Sequence, residues 1–344
     1  MSLDITFPLA RASGQPVAAL TQVTEAEKTR ILNAPRTSEA HRDLLAATPA
    51  MHQIQTGGSA DLTELPAAPR VLAWNLERCL FPQASADLVR AQGADVVLLS
   101  EMDLGMARTG QRNTTAEMAE ALGMTYAYGV EFFEMGLGSP TELEFCTDDF
   151  NAHGWHGNAI LSKAPLTRVA LLRLDDHGHW FASDFGADPL QPRIGGRMAV
   201  LAEVPTESGP ICVVSTHLES NSGPQHRQRQ MELIRQAVAD FAGDMPVIIG
   251  GDLNTGNHCP PDFDWRVEGL FDWMEGQGYR WDATPEGMTT RPSLITRHPD
   301  RQMKLDWFAH KGLIGTDIDL IPALDAGGQP LSDHNPIVAR FYRD

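Results

Sequence analysis

The sequence predicts an α/β domain whose sheets are covered on both faces. Short runs rich in Val, Ile and Leu recur along it, and each stops at a polar residue: Val71 to Trp74 before Asn75, Asp95 to Ser100 before Glu101, Ile211 to Thr216 before His217, and Val247 to Gly251 before Asp252. Apolar runs of this length, bounded by Gly and polar residues, read as buried strands. Stretches of helical composition, Ser85 to Gln92 and Gln225 to Phe241, lie between some of them and argue for helices packed on the sheets. A chain of 344 residues with 42% apolar content can bury the core such a domain needs.

Taken in order, residues 1–66 read differently from the rest. Thr24 to Asn33 and Ser38 to Ala47 have helical composition, and each opens with a Thr or Ser followed closely by an acid, as a helix N-terminus does. Gly57, Gly58, Ser59, Pro66 and Pro69 punctuate the passage to Arg70. A helical N-terminal extension over 1–66, packed on a main domain over 67–344, is expected. Leu305 to Phe308 and Ile337 to Phe341 are expected as the last strands.

Composition narrows the function. There is no apolar run of about 18 residues or more, so no membrane span is expected. Met1 to Gln15 lacks a basic region followed by a long apolar stretch, so no cleaved leader is expected. Cys79, Cys146, Cys212 and Cys259 are too scattered for a disulfide scaffold or a zinc site and read as reduced thiols of a cytoplasmic protein. Lys plus Arg total 27 against 45 for Asp plus Glu, a net charge of −18. Such a surface repels a polyanion at long range and counts against a non-specific nuclease.

The strand ends hold the candidate chemistry, though each alone has a plain structural explanation. Asn75 suits a turn as well as a ligand. Glu101, at the edge of a buried strand, needs a partner, which is either a cation or a structural ion pair. Asp252 and Asn254 stand two apart in Gly250-Gly251-Asp252-Leu253-Asn254, so on extended backbone they face one side; the same string also reads as a Gly-Asp turn. Asp333 and His334, in Ser332-Asp333-His334-Asn335-Pro336, suit metal binding or proton transfer, or form a loop histidine beside an acid. Asp306, the one acid in Leu305-Asp306-Trp307-Phe308, needs a partner, and His334 is the candidate.

These strings occur in a particular order: WN, E, TH, GDLN, LDW, SDHNP. In that order the chain from about Arg70 to Arg343 resembles the endonuclease/exonuclease/phosphatase superfamily, and Gly157 to Lys163 is similar to the family's strand between its Glu and His motifs. The resemblance implies a DNase I-like four-layer α/β sandwich, two packed mixed β-sheets flanked by helices, and a phosphoesterase using Mg²⁺, with Mn²⁺ as the alternative ion. It implies that Asn75 and Glu101 ligate the metal with Asp333 on that side, and that Asp252 and Asn254 orient or deprotonate the attacking water. Asp333 and His334 would lie over the scissile phosphate, with Asp306 orienting His334. His217 matches a position that supports the leaving group or the phosphate, and Asn158 falls on the substrate side. Phosphate ester hydrolysis needs neutralised oxygens, an aligned nucleophile and a stabilised leaving oxygen, and hard oxygen donors select Mg²⁺ or Mn²⁺ over zinc. Which of His334 and Asp252 takes the water's proton is left open by the sequence.

Arg193 and Arg197 stand in or beside the stretch Asp175 to Arg197 with His177, His179 and Trp180, and suit phosphate through the planar guanidinium; a surface loop explains them equally well. Between Asn113 and Ser162 there is no Lys or Arg but there are eight acids, and Glu131 to Gly154 reads as an acidic loop that tracks a DNA backbone poorly. The expected substrate is therefore a phosphorylated small molecule or lipid headgroup. The alternatives are a DNA or RNA nuclease or DNA-end repair phosphodiesterase with a local basic strip, and a non-catalytic binding protein, which six intact motifs disfavour.

Overall fold

The computed structural model describes residues 7–188, 191–259, 264–300 and 302–344, so the first six residues of the Met1 to Gln15 stretch lie outside the described residues. Fourteen strands form among them: β1 (Gln15–Val17), β2 (Gln53–Gly58), β3 (Arg70–Arg78), β4 (Val96–Leu104), β5 (Thr125–Glu134), β6 (Trp155–Ser162), β7 (Arg168–Arg173), β8 (Arg193–Gly195), β9 (Met198–Val204), β10 (Ile211–His217), β11 (Val247–Asp252), β12 (Asp306–Lys311), β13 (Leu313–Leu320) and β14 (Ile337–Arg343). The helices are α1 (Glu25–Asn33), α2 (Ser38–Ala47), α3 (Pro82–Ala91), α4 (Thr114–Leu122), α5 (Pro140–Leu143), α6 (Pro224–Ala242) and α7 (Leu270–Glu275). One sheet runs β1-β2-β5-β6-β4-β3-β14-β13 with β8 added to β5, and the other runs β12-β11-β10-β9-β7. Parallel pairs (β1 with β2, β3 with β4, β10 with β11) sit among antiparallel ones, so both sheets are mixed.

Three apolar layers explain why the strands read as unbroken hydrophobic runs. Along β3, Val71 and Ala73 face the second sheet, meeting a layer that holds Val200, Val213, Ile248 and Phe308. The alternate residues Leu72 and Trp74 face outward with Leu88 and Val89 of α3 and Met118 of α4. On the far side, Leu201, Val214 and Ile249 pack with Ile234 and Val238 of α6 and Leu270 of α7. With each sheet covered on both faces, the period of two puts apolar side chains on both sides and the polar alternation disappears. The order helix, sheet, sheet, helix is the DNase I-like sandwich.

Two expectations are corrected. Residues 1–66 supply more than helices: β1 pairs parallel with β2, and β2 pairs antiparallel with β5, so this segment extends the larger sheet. Its helices follow their caps, with Thr24 and Glu27 forming a full capping box and Thr37, one residue earlier than expected, capping α2. The second correction concerns the stretch Glu131 to Gly154, whose start is strand and not a solvent-facing acidic loop, while Glu144, Asp148 and Asp149 farther on are exposed. β5 runs to Glu134, and Glu131, Glu134 and Glu142 are buried against arginines. No helix among the described residues is long and apolar enough to cross a membrane.

Candidate active site

Register alone gathers three residues of the site. β10, β11 and β12 lie side by side, and His217 pairs with Asp252, which pairs in turn with Asp306, so these three residues form one row across the end of the smaller sheet. That approach needs Gly251: at its φ of +146°, an added Cβ would stand 1.9 Å from the carbonyl oxygen of Thr216. In the larger sheet the ladder slips at one level on three neighbouring pairs: between Asn75 and Arg78, Leu99 and Met102, and Val130 and Phe132. A bulge adds a residue to one strand and re-aims its side chain. Glu77, Glu101 and Glu131 sit at these slips. Glu77, Arg78, Cys79 and Glu101 all have positive φ, between 43° and 77°, a conformation that non-glycine residues adopt only where the surrounding structure enforces it.

Asp252 is the hub. Its Oδ2 accepts from Asn75 Nδ2 at 3.0 Å and lies 3.6 Å from Nε2 of both His217 and His334, while Oδ1 accepts from the Asn254 amide at 2.8 Å. Asn75 Nδ2 also donates to Glu101 Oε1 at 3.1 Å. His334 Nδ1 lies 2.8 Å from Asp306 Oδ2, which fixes the ring so that Nε2 faces Asp252 and, at 3.8 Å, Asp333. Ser332 ties this loop to β3, donating to the Asn75 carbonyl at 2.6 Å while accepting from the His334 amide, and the Trp74 indole donates to the His334 carbonyl at 2.8 Å. Arg197 braces the other histidine: it donates to Glu131 at 2.5 Å and to Glu219 at 3.3 Å, and its Nη1 lies 2.8 Å from His217 Nδ1.

A cavity of about 200 Å³ opens among Glu77, Glu101, Asp252, Asp333 and His334. Burial first, and then the negative charge of Asp333, pushes the Glu77 carboxyl up to about 8. Burial would depress the His334 imidazole, but Asp306, Asp333 and Asp252 outweigh it and raise it to about 10. Burial would likewise raise Glu101, yet Arg78 beside it, with His217, holds it well below the carboxylate range. Carboxylates crowded into a buried space require a cation. The donors are hard oxygens with no thiolate among them, so the set fits Mg²⁺ or Mn²⁺. A cation already at Glu101 is the Arg78 guanidinium, whose Nη1 ion-pairs with Glu101 while Nε donates to Glu142 Oε1 at 2.8 Å. Among the described residues, no three His, Cys, Asp or Glu side chains form a ready metal site.

The structure thus brings Asn75, Glu101, His217, Asp252, Asn254, Asp306, Asp333 and His334 together. Asn254 lines the cavity, but its amide is taken up by the Leu218 carbonyl and by Asn257. Asn158 is fully buried, donates to the Met198 carbonyl and is not among the cavity's lining residues. Of the two predicted arginines, Arg197 lines the cavity and Arg193 does not. Arg193 pairs with Glu134 at 2.9 Å and stacks on Trp180, facing a separate cleft with Arg36. His177 and His179 also lie apart, clustered with His226. Sequence reasoning missed Glu77, Arg78 and Thr296, which line the cavity; two charges closing the run Trp74-Asn75-Leu76-Glu77-Arg78 do not by themselves tell a site from a strand end that reaches solvent.

The fold and this gathering of strand-end acids and histidines define a DNase I-like hydrolase scaffold. The chain belongs to the endonuclease/exonuclease/phosphatase family, whose model matches residues 72–334; the family comprises hydrolytic phosphoesterases and nucleases. Among solved structures it is similar to an endonuclease/exonuclease/phosphatase from Beutenbergia cavernae, with 17% identity, a TM-score of 0.56, and coverage of 80% of this chain and 72% of that one. The human Nocturnin catalytic domain with bound sulfate shares 18% identity, with a TM-score of 0.55 and coverage of 85% and 98%. The mannosyl-6-phosphatase of Bacteroides thetaiotaomicron shares 13%, with a TM-score of 0.52 and coverage of 79% and 99%. No curated protein matches the chain.

Proposed function

We propose that this protein is a Mg²⁺-dependent phosphoesterase that hydrolyses a phosphate ester by attack of water, acting on a phosphorylated small molecule or lipid headgroup. One observation carries the reading: Asp252 Oδ2 stands within 3.6 Å of two imidazole nitrogens and 3.0 Å of the Asn75 amide, beside three further carboxylates. Asn75, Glu101 and Asp333, with Glu77 at their side, would hold the cation, which when bound neutralises the phosphate oxygens and supports the departing oxygen. Asp306 accepts from His334 Nδ1 and favours the protonated ring, so that Nε2 also carries a proton toward the cavity, and an imidazole held protonated near neutral pH suits donation to a phosphate oxygen. That leaves Asp252 as the acceptor of the water's proton. Arg197 and Glu131 fix His217 against the same space.

The substrate preference rests on the net charge of −18, since the buried acids of β5 no longer bear on it. A nucleic-acid phosphodiester is the second reading. The segment Thr289 to Lys304, which supplies Thr296 to the cavity wall, carries Arg291, Arg297 and Lys304. Incubating the protein with Mg²⁺ and a panel of phosphomonoesters, headgroup diesters and oligonucleotides separates them. Turnover of small esters that is lost in Asp252→Asn supports the first reading, and turnover confined to oligonucleotides supports the second. A folded protein that hydrolyses nothing in the panel contradicts both.

A further inference from the structure

Arg78 occupies an unusual place for a cationic side chain. It closes β3 three residues past the motif asparagine, in the middle of three consecutive residues whose backbone the fold forces into the left-handed region together: Glu77, Arg78 and Cys79, with φ of 43°, 77° and 56°. Non-glycine residues keep such a conformation only where the surrounding structure enforces it, so a fold that keeps three in a row gains something from where they point. What it gains is visible in the contacts. The guanidinium lines the cavity and ion-pairs through Nη1 with Glu101, the acid best placed to ligate a cation, while Nε is anchored on Glu142.

The anchor is itself built with care. Glu142 is buried in α5, which opens on a Ser139–Glu142 capping box, and besides Arg78 it accepts from Arg108 Nη1 at 2.9 Å and from the Ser139 amide at 2.6 Å. Arg108 is held in turn by Asp103 and Glu134. The two ends of the Arg78 guanidinium therefore differ. The Glu142 end belongs to a rigid buried network, and the Glu101 end reaches into open space.

Resting on the phosphoesterase reading, we propose that Arg78 is a built-in counter-ion for the metal-free site: it holds Glu101 until a divalent cation displaces it, and then, still tethered to Glu142, presents its freed nitrogen to the substrate phosphate. The guanidinium and the cation compete for one carboxylate, because each is a positive charge seeking the same Glu101 oxygen and the two repel one another there. A planar fork released within the cavity is matched to phosphate oxygens, and its charge supplements that of the metal. Arg78 is accordingly a positioning residue for Glu101 before metal entry and a substrate contact after it.

The test measures metal affinity without turnover. Mn²⁺ binding to chelator-treated protein is followed by electron paramagnetic resonance of the free ion, for wild type, Arg78→Ala and Arg78→Gln. Glutamine keeps an apolar stem and a hydrogen-bonding head and covers the case in which alanine fails to fold. Removing the competitor is expected to tighten Mn²⁺ binding about tenfold. In steady-state assays of the same variants, the substrate KM is expected to rise about tenfold while the metal concentration needed for half-maximal rate falls. A merely structural role for Arg78 would weaken both kinds of binding together. Folded variants that bind Mn²⁺ as weakly as wild type, or more weakly, overturn this inference alone. A wild-type protein that binds no Mn²⁺ and hydrolyses no ester overturns the parent reading instead.

Discussion

Asp306 is fully buried behind His334, yet it sets what that histidine can do. Its Oδ2 fixes Nδ1 at 2.8 Å and leads the aspartates that raise the ring to about 10. Asp306→Asn is therefore expected to fold and to bind substrate with nearly unchanged KM while kcat falls about 10²- to 10⁴-fold. A variant whose kcat is intact and whose KM alone rises contradicts the assigned role. This pair was legible in the sequence because a lone acid in an apolar strand must find a partner. Glu77 and Arg78 were not: at a strand end, two charges look like the point where the chain reaches solvent. Arg193 and Arg197 could not be told apart either. They flank Ile194-Gly195-Gly196 symmetrically, and only their partners on β5, Glu134 and Glu131, send one to a separate cleft and the other to the cavity.

At the scale of elements, the site is assembled by register. The row His217, Asp252 and Asp306 exists because β10, β11 and β12 are neighbours, and Gly251 permits the closeness. Gly251→Ala places a Cβ against the Thr216 carbonyl and strains a φ of +146°, so a loss of about 3 kcal/mol or more is expected in urea unfolding. A loss below about 1 kcal/mol would mean that the strands tolerate separation and that this contact is not what sets the row. The central strands were readable because both faces of each are buried, leaving continuous apolar runs. β5 was misread because Glu131 and Glu134 interrupt such a run, and their neutralising arginines come from distant parts of the chain. β1 and β2 escaped notice because Gln15–Val17 and Gln53–Gly58 carry Gln, Pro and Gly where a strand pattern would show branched residues.

For the whole molecule, the buried charges make stability depend on pH in two opposed ways. Burial would raise Glu134 and Glu219, but Arg108 and Arg197 outweigh it and lower both to about 2. Their folded values lie below the ordinary 4.5, so the stability they contribute is present above that pH and disappears as pH falls toward 2. Glu77 and His334 run the other way. Raised from 4.5 to about 8 and from 6.5 to about 10, they hold protons more tightly when folded, and stability falls as pH climbs through those ranges. Metal-free protein is thus expected to melt highest near about pH 5 to 6, and Mg²⁺ to raise Tm more at about pH 8.5 than at pH 6, because cation and protons compete for the same site. Calorimetry with and without saturating Mg²⁺ checks this, and an equal rise at both pH values contradicts it. The most direct test of the proposed metal dependence is hydrolysis of a chromogenic phosphate ester by chelator-treated wild type and Glu101→Gln, each shown to be folded. The expected result is no turnover without metal, restoration of wild type by Mg²⁺, and little or none in the variant. Hydrolysis that persists without metal, or a Glu101→Gln protein as fast as wild type, would contradict the account.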